Sequence, residues 1–82
     1  MPVFMGIHKI PQEMQEADIV KGWEDYKASA TAAGLRPISA VVSIEKGFAY
    51  CQTEAESADQ VRQAHGGASI PLEDVVEVKA LN

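Results

Sequence analysis

The stretch PISAVVSIEKGFAYCQTE, residues 37–54, indicates the fold most clearly. Two runs rich in β-branched and aromatic residues flank Lys46-Gly47, where glycine can adopt the positive φ that a tight hairpin requires. We therefore predict two antiparallel strands joined by a two-residue turn. Such a turn sets three cross-strand pairs: Ile44 with Ala49, Val42 with Cys51, and Ala40 with Thr53.

The segments on either side of the hairpin predict two helices and two further strands. The run VFMGIHKI, residues 3–10, is apolar and ends at Pro11, which predicts a first strand. Residues 14–33 carry apolar side chains at spacings of three and four, as an amphipathic helix does, and Gly34 follows as its stop. The SADQ motif, residues 57–60, is a capping box that starts a second helix over 58–65. A valine-rich last strand follows over 74–81.

This order of strand, helix, strand, strand, helix, strand belongs to the ferredoxin-like βαββαβ arrangement. We predict an α+β two-layer sandwich, with an antiparallel sheet in the order 4-1-3-2 and both helices on one face. A chain of 82 residues has room for one domain, which we place at residues 1–82.

Composition argues against several classes of function. Twelve acidic and seven scattered basic residues give a net charge of -5, so we expect neither nucleic acid nor an anionic membrane as a partner. We find no signal peptide and no apolar run of the ~18 residues that span a membrane, so we expect a cytoplasmic protein. No Ser-His-Asp order, phosphate loop or His-Glu-x-x-His motif is present, and we do not expect an enzyme.

The helix-free face of the predicted sheet carries an apolar patch. Successive side chains of a strand point to opposite faces, and we assign Val3, Met5 and Ile7 of the first strand to the helix side. The helix-free face then carries four apolar or aromatic side chains: Phe4, Val41, Phe48 and Tyr50. A monomer seldom exposes such a patch, and a second copy of the chain is the commonest cover. We predict a homodimer through this face; the alternative is a ligand held between the sheets.

Two histidines are predicted to meet at one edge of the sheet. His8 ends the first strand, His65 ends the second helix, and the last strand begins beside them with Glu73 and Asp74. Imidazoles with nearby carboxylates suit Ni²⁺, Zn²⁺ or Cu²⁺. We predict these four residues as metal ligands, against the plainer interpretation of His8 as a polar strand end and His65 as a helix-terminal cation. Cys51, the sole cysteine, is expected to be a buried small residue.

Three segments carry a family resemblance: FMGIH (4–8), AYCQTEAESADQVRQAH (49–65) and LEDVVEVKAL (72–81). The chain resembles a small bacterial ferredoxin-like family, long catalogued as a domain of unknown function, whose characterised type is a dimeric nickel-binding protein. The resemblance implies homodimerisation and divalent-metal binding through His8 and His65. Ser39 stands where the family often has another histidine. A complete site would then need carboxylates, water, Cys51 or ligands from a second chain.

Three functions are consistent with these observations. The first is a non-catalytic homodimer that binds a divalent transition metal of the nickel type. The second is a dimeric α/β-barrel enzyme that acts on a small organic molecule near Tyr50 and His8. The third is an interaction module without metal or substrate.

Overall fold

The computed structural model describes residues 1–81 and has the element order predicted from the sequence. The elements are β1 (Val3–Lys9), α1 (Glu16–Ala32), β2 (Arg36–Ser43), β3 (Phe48–Glu54), α2 (Ala58–Gly67) and β4 (Asp74–Val78). All strand pairs are antiparallel, in the order β2-β3-β1-β4, which is 4-1-3-2 counted from the other edge. The predicted α+β ferredoxin-like fold is confirmed.

The helix ends follow local sequence signals. The N–H of Gln15 donates to Asp18 Oδ2 at the start of α1, and Gly34, two residues beyond its end, has φ +80°. At the start of α2, Ser57 Oγ accepts from the N–H of Gln60, as the capping box predicts. The side chain of Gln60 reaches back to the N–H of Glu56 instead of that of Ser57.

The hairpin loop is longer than predicted. It spans residues 44–47, so Val42 pairs with Ala49 and Ala40 pairs with Cys51, and the three predicted cross-strand pairs are wrong by two residues. The cause is Ser43, whose carbonyl oxygen accepts from the N–H of Gly47 at 2.8 Å and closes a wider turn. Gly47 has the predicted positive φ, +77°. Because the shift is an even number, the side chains of residues 39–43 and 48–53 keep their predicted faces.

The side chains of β1 point opposite to the prediction. Phe4 pairs with the buried Thr53, and His8 pairs with Ala49, so both lie on the face that the helices cover. The assignment of Phe4 to the helix-free face is therefore wrong, and its side chain is only 7% exposed in the core. Each alternating set of β1 starts with an apolar residue and ends with a polar one, Lys9 or His8, so the pattern alone could not fix its face. Three side chains take the opposite side: Val3, Met5 and Ile7.

The core lies between the helices and the covered face of the sheet. Its buried apolar residues are Phe4, Tyr26, Ala30, Leu35, Cys51, Ala55, Val61, Ala64 and Val75. Two polar side chains, Thr53 and His65, are buried with them, and Thr53 Oγ1 is hydrogen-bonded to the Tyr26 hydroxyl. Ser29 Oγ of α1 donates to the carbonyl oxygen of Ala64 in α2 at 2.8 Å, which joins the two helices.

Two further features bear on the predicted classes of function. The sheet is open, with β2 and β4 as its edges, so the α/β-barrel alternative is not supported. Over residues 1–81, neither helix has the length and apolar character needed to cross a membrane.

Candidate metal centre

Three side chains from three elements meet under α1. His8 comes from the end of β1, Cys51 from the middle of β3 and His65 from α2. Cys51 Sγ lies 3.4 Å from His8 Nε2 and 3.3 Å from His65 Nε2. One donor atom from each residue lies within 4.8 Å of the other two. Cys51 is 4% exposed and His65 is 1% exposed, while His8 is half-buried.

Backbone carbonyls fix the protonation of both imidazoles. His8 Nδ1 lies 2.9 Å from the carbonyl oxygen of Pro71, and His65 Nδ1 lies 2.8 Å from that of Val61. A carbonyl oxygen only accepts hydrogen bonds, so each Nδ1 must carry a proton and donate. Each neutral ring therefore presents a lone pair on Nε2 toward Cys51. The thiol has one proton, so it can donate to only one of these two nitrogens.

Burial sets the charge of the cluster. It lowers the pKa of His8 below its usual value, and it lowers that of His65 to about 4, although the hydrogen bonds to Pro71 and Val61 oppose the shift. Burial also raises the pKa of the Cys51 thiol to about 11. Near pH 7 the metal-free cluster is thus neutral, with two unprotonated Nε2 atoms and one protonated thiol.

The surroundings hold the three side chains in place. The ring of Tyr26 stacks on that of His65, with centroids 3.9 Å apart and planes at 22°. On the other side, Gly6 leaves room for the thiol, because a Cβ at this position would lie 2.8 Å from Cys51 Sγ and 3.4 Å from His65 Cε1. Gly6 was not singled out from the sequence, although a glycine inside a strand often marks such a close approach.

The structure brings together two of the four predicted ligands, His8 and His65. Glu73 and Asp74 are both exposed, and Asp74 Oδ1 accepts from Arg62 Nη2 at 3.2 Å and from the N–H of Val75 at 2.8 Å. Among residues 1–81, the one group of three or more potential metal-binding side chains consists of His8, Cys51 and His65, without either carboxylate.

The structure also shows where Cys51 and Ser39, which the sequence singled out, lie relative to the two histidines. The predicted burial of Cys51 is confirmed, but its position between the two imidazoles was missed. Ser39 pairs with Gln52 on the helix-free face, so it points away from the cluster.

The donor set fits a transition metal. Thiolate sulfur and imidazole nitrogen are preferred ligands of zinc, and they also suit nickel and copper. Zinc bonds of ~2.0 to 2.3 Å put neighbouring donors of a tetrahedral site about 3.5 Å apart, close to the two sulfur–nitrogen distances in the cluster. The carbonyl oxygens of Pro71 and Val61 accept hydrogen bonds from Nδ1 of His8 and His65, the kind of contact that orients ligating histidines. His8, Cys51 and His65 can therefore hold a metal ion.

Comparison with known proteins agrees with this chemistry. The model of the family described as "Nickel responsive protein SCO4226-like" matches residues 4–78. The chain belongs to this SCO4226-like family. The resemblance seen in the sequence is thereby confirmed, and the family description supports metal binding.

A solved structure shows the same fold. The crystal structure of SCO4226 from Streptomyces coelicolor A3(2) aligns with a TM-score of 0.86, covering 98% of this chain and 99% of that chain. The two sequences are 20% identical, so for this SCO4226-like chain the likeness establishes the fold alone. None of the curated protein sequences matches.

Proposed function

We propose that this SCO4226-like protein binds a divalent transition metal of the nickel type through His8, Cys51 and His65, without catalysing a reaction. The observation that carries the proposal is the convergence of two imidazole lone pairs on one buried thiol. In water each of these groups would have its own hydrogen-bond partners, whereas here a single thiol proton serves both nitrogens. A metal ion that displaces this proton would satisfy all three donor atoms at once.

The predicted roles of Glu73 and Asp74 stay predictions. Glu73 directly precedes β4 and Asp74 begins it, and Asp74 would have to leave its ion pair with Arg62 to reach a metal. That pair is exposed and contributes little to stability, so the exchange would cost little. A titration can therefore decide whether a carboxylate takes part.

Calorimetric titration with Ni²⁺ and Zn²⁺ tests the proposal. We expect one metal ion per chain in the wild type, and at least about 10-fold weaker binding in His8→Ala, because changes even to groups that only support ligands cost 10- to 100-fold. Asp74→Ala decides the part of the carboxylate, and binding like that of the wild type would leave Asp74 out of the site. Equal heats in the wild type and His8→Ala, or no heat in either, would contradict the proposal. Weaker binding in Asp74→Ala would add this carboxylate to the site.

We also propose that two chains associate through the helix-free face of the sheet. After the correction at β1, the apolar side chains of this face include Met5, Ile7, Val41, Phe48 and Tyr50. Val41 is 61% exposed, and the rings of Phe48 and Tyr50 contact each other with centroids 4.9 Å apart. Covering such a patch is favourable for a small domain with a limited core.

Sedimentation equilibrium tests the association. We expect twice the chain mass of 8.8 kDa for the wild type at micromolar concentration. Val41→Glu should shift the mass toward that of one chain, because it introduces a charge into the apolar contact. Val20→Glu, at an exposed position on α1, is the control and should remain dimeric. A wild type with the mass of one chain would refute the association.

The cytoplasmic location favoured by the sequence remains a prediction.

A further inference from the structure

A cleft opens between α1 and the part of the sheet formed by β2 and β3. Ala40 and Val42 lie on the helix side of β2, yet both are exposed, Val42 to 41%. The helix therefore does not cover this end of the sheet. The space between them is a cavity of about 440 Å³. Its volume lies within the ~300 to 1,000 Å³ typical of sites for small molecules.

The cleft walls are mostly apolar, although Lys9, Glu16 and Asp18 also line them, and one end of the cleft is polar. Ile19, Trp23, Ala49 and Ile70 line it, together with Ala40 and Val42. His8, Cys51 and His65 line the same cavity. Apolar walls with a few convergent polar groups are characteristic of sites for organic ligands.

At the polar end, one imidazole nitrogen can accept a hydrogen bond that the Cys51 thiol does not donate. Two Nε2 atoms face the one thiol proton, so one nitrogen is left over. His65 is almost wholly buried beneath the ring of Tyr26, whereas His8 is half-buried. When the thiol donates to Nε2 of the more deeply buried His65, the free lone pair is that of His8. A half-buried acceptor of this kind favours a ligand that brings a hydroxyl group.

We propose that the cleft binds a small aromatic or alicyclic molecule with one hydroxyl group, a phenol being the simplest case. The apolar body contacts Trp23 and the helix-side residues of β2, and the hydroxyl donates to His8 Nε2. The metal-free cluster supplies the acceptor, so this binding goes beyond the proposed metal binding and does not depend on it.

Binding of 4-methylphenol to the metal-free protein, kept in a chelator, tests the proposal. Toluene is the matched probe, because it has the same apolar body without the hydroxyl. We expect saturable NMR shifts at the indole of Trp23, the sole tryptophan, and at the amide of Ala49. Toluene should bind ~3- to 10-fold more weakly, the effect of one neutral hydrogen bond. Equal affinities, or shifts confined to residues outside the cleft, would overturn the proposal.

Three variants locate the site. Ala40→Phe fills the cleft from an exposed position and should remove binding of 4-methylphenol, whereas Ser39→Phe, at an exposed position on the opposite face of the same strand, should retain it. His8→Leu should bind 4-methylphenol and toluene equally. Unchanged binding in Ala40→Phe, or an undiminished preference for 4-methylphenol in His8→Leu, would overturn the proposal. The chelator keeps metal out of these measurements, so a failure of the nickel titration has no bearing on them.

Discussion

Replacing Cys51 with serine is expected to weaken Ni²⁺ and Zn²⁺ binding by at least about 100-fold while the fold is retained. Changes to groups that merely support metal ligands cost ~10- to 100-fold, and this substitution removes a ligand. Serine keeps nearly the same shape, but its hydroxyl does not ionise near neutral pH and its oxygen is a poorer ligand than thiolate for these metals. The loss should therefore fall on metal affinity more than on stability.

Competition with a chromophoric chelator measures this affinity, and circular dichroism checks the fold. Gln52→Ala is the matched control, because residue 52 is the next one in β3 and its side chain lies on the opposite face of the sheet. It should bind metal like the wild type. Wild-type affinity in Cys51→Ser would show that the sulfur is not a ligand.

Gly6→Ala is expected to destabilise the protein by about 1 to 3 kcal/mol, the usual cost of overpacking a tight site. The added Cβ would lie 2.8 Å from Cys51 Sγ and 3.1 Å from Leu72 Cδ2, so the thiol must move away from its place between the imidazoles. Metal affinity should fall together with the free energy of unfolding, because both depend on the position of this sulfur.

Urea denaturation gives the free energy of unfolding, and the chelator competition gives the affinity. Gly22→Ala is the control: its Cβ would meet nothing within 4 Å, and alanine inside a helix is favoured by up to about 1 kcal/mol over glycine. It should be at least as stable as the wild type, with unchanged metal binding. A Gly6→Ala protein within ~0.5 kcal/mol of the wild type would mean that the packing around Cys51 is looser than described.

The fold was predictable because its signals are local. The capping serine Ser57, the stop at Gly34 and the positive φ of Gly47 each follow from residues close in the chain. The exact hairpin register was not predictable from Lys46-Gly47, since it depends on the hydrogen bond that Ser43 accepts. The even shift preserved the faces of β2 and β3, which is why the sequence placed Cys51 on the correct side.

The site was only half predictable, and the reason lies in β1. Topology alone brought His8 and His65 to a common edge. The face of β1 was reversed, because its two alternating sets are alike in starting apolar and ending polar, and this error separated His8 from Cys51. The carboxylates of Glu73 and Asp74 were placed at the correct edge of the sheet, but sequence spacing carries no information about the ion pair between Asp74 and Arg62.

Extended X-ray absorption fine structure at the nickel edge, on protein loaded with one equivalent of Ni²⁺, examines the proposed donor set directly. The proposal predicts one sulfur neighbour, contributed by Cys51, together with the scattering pattern of two imidazole rings. A coordination shell of nitrogen and oxygen alone, without sulfur, would contradict it.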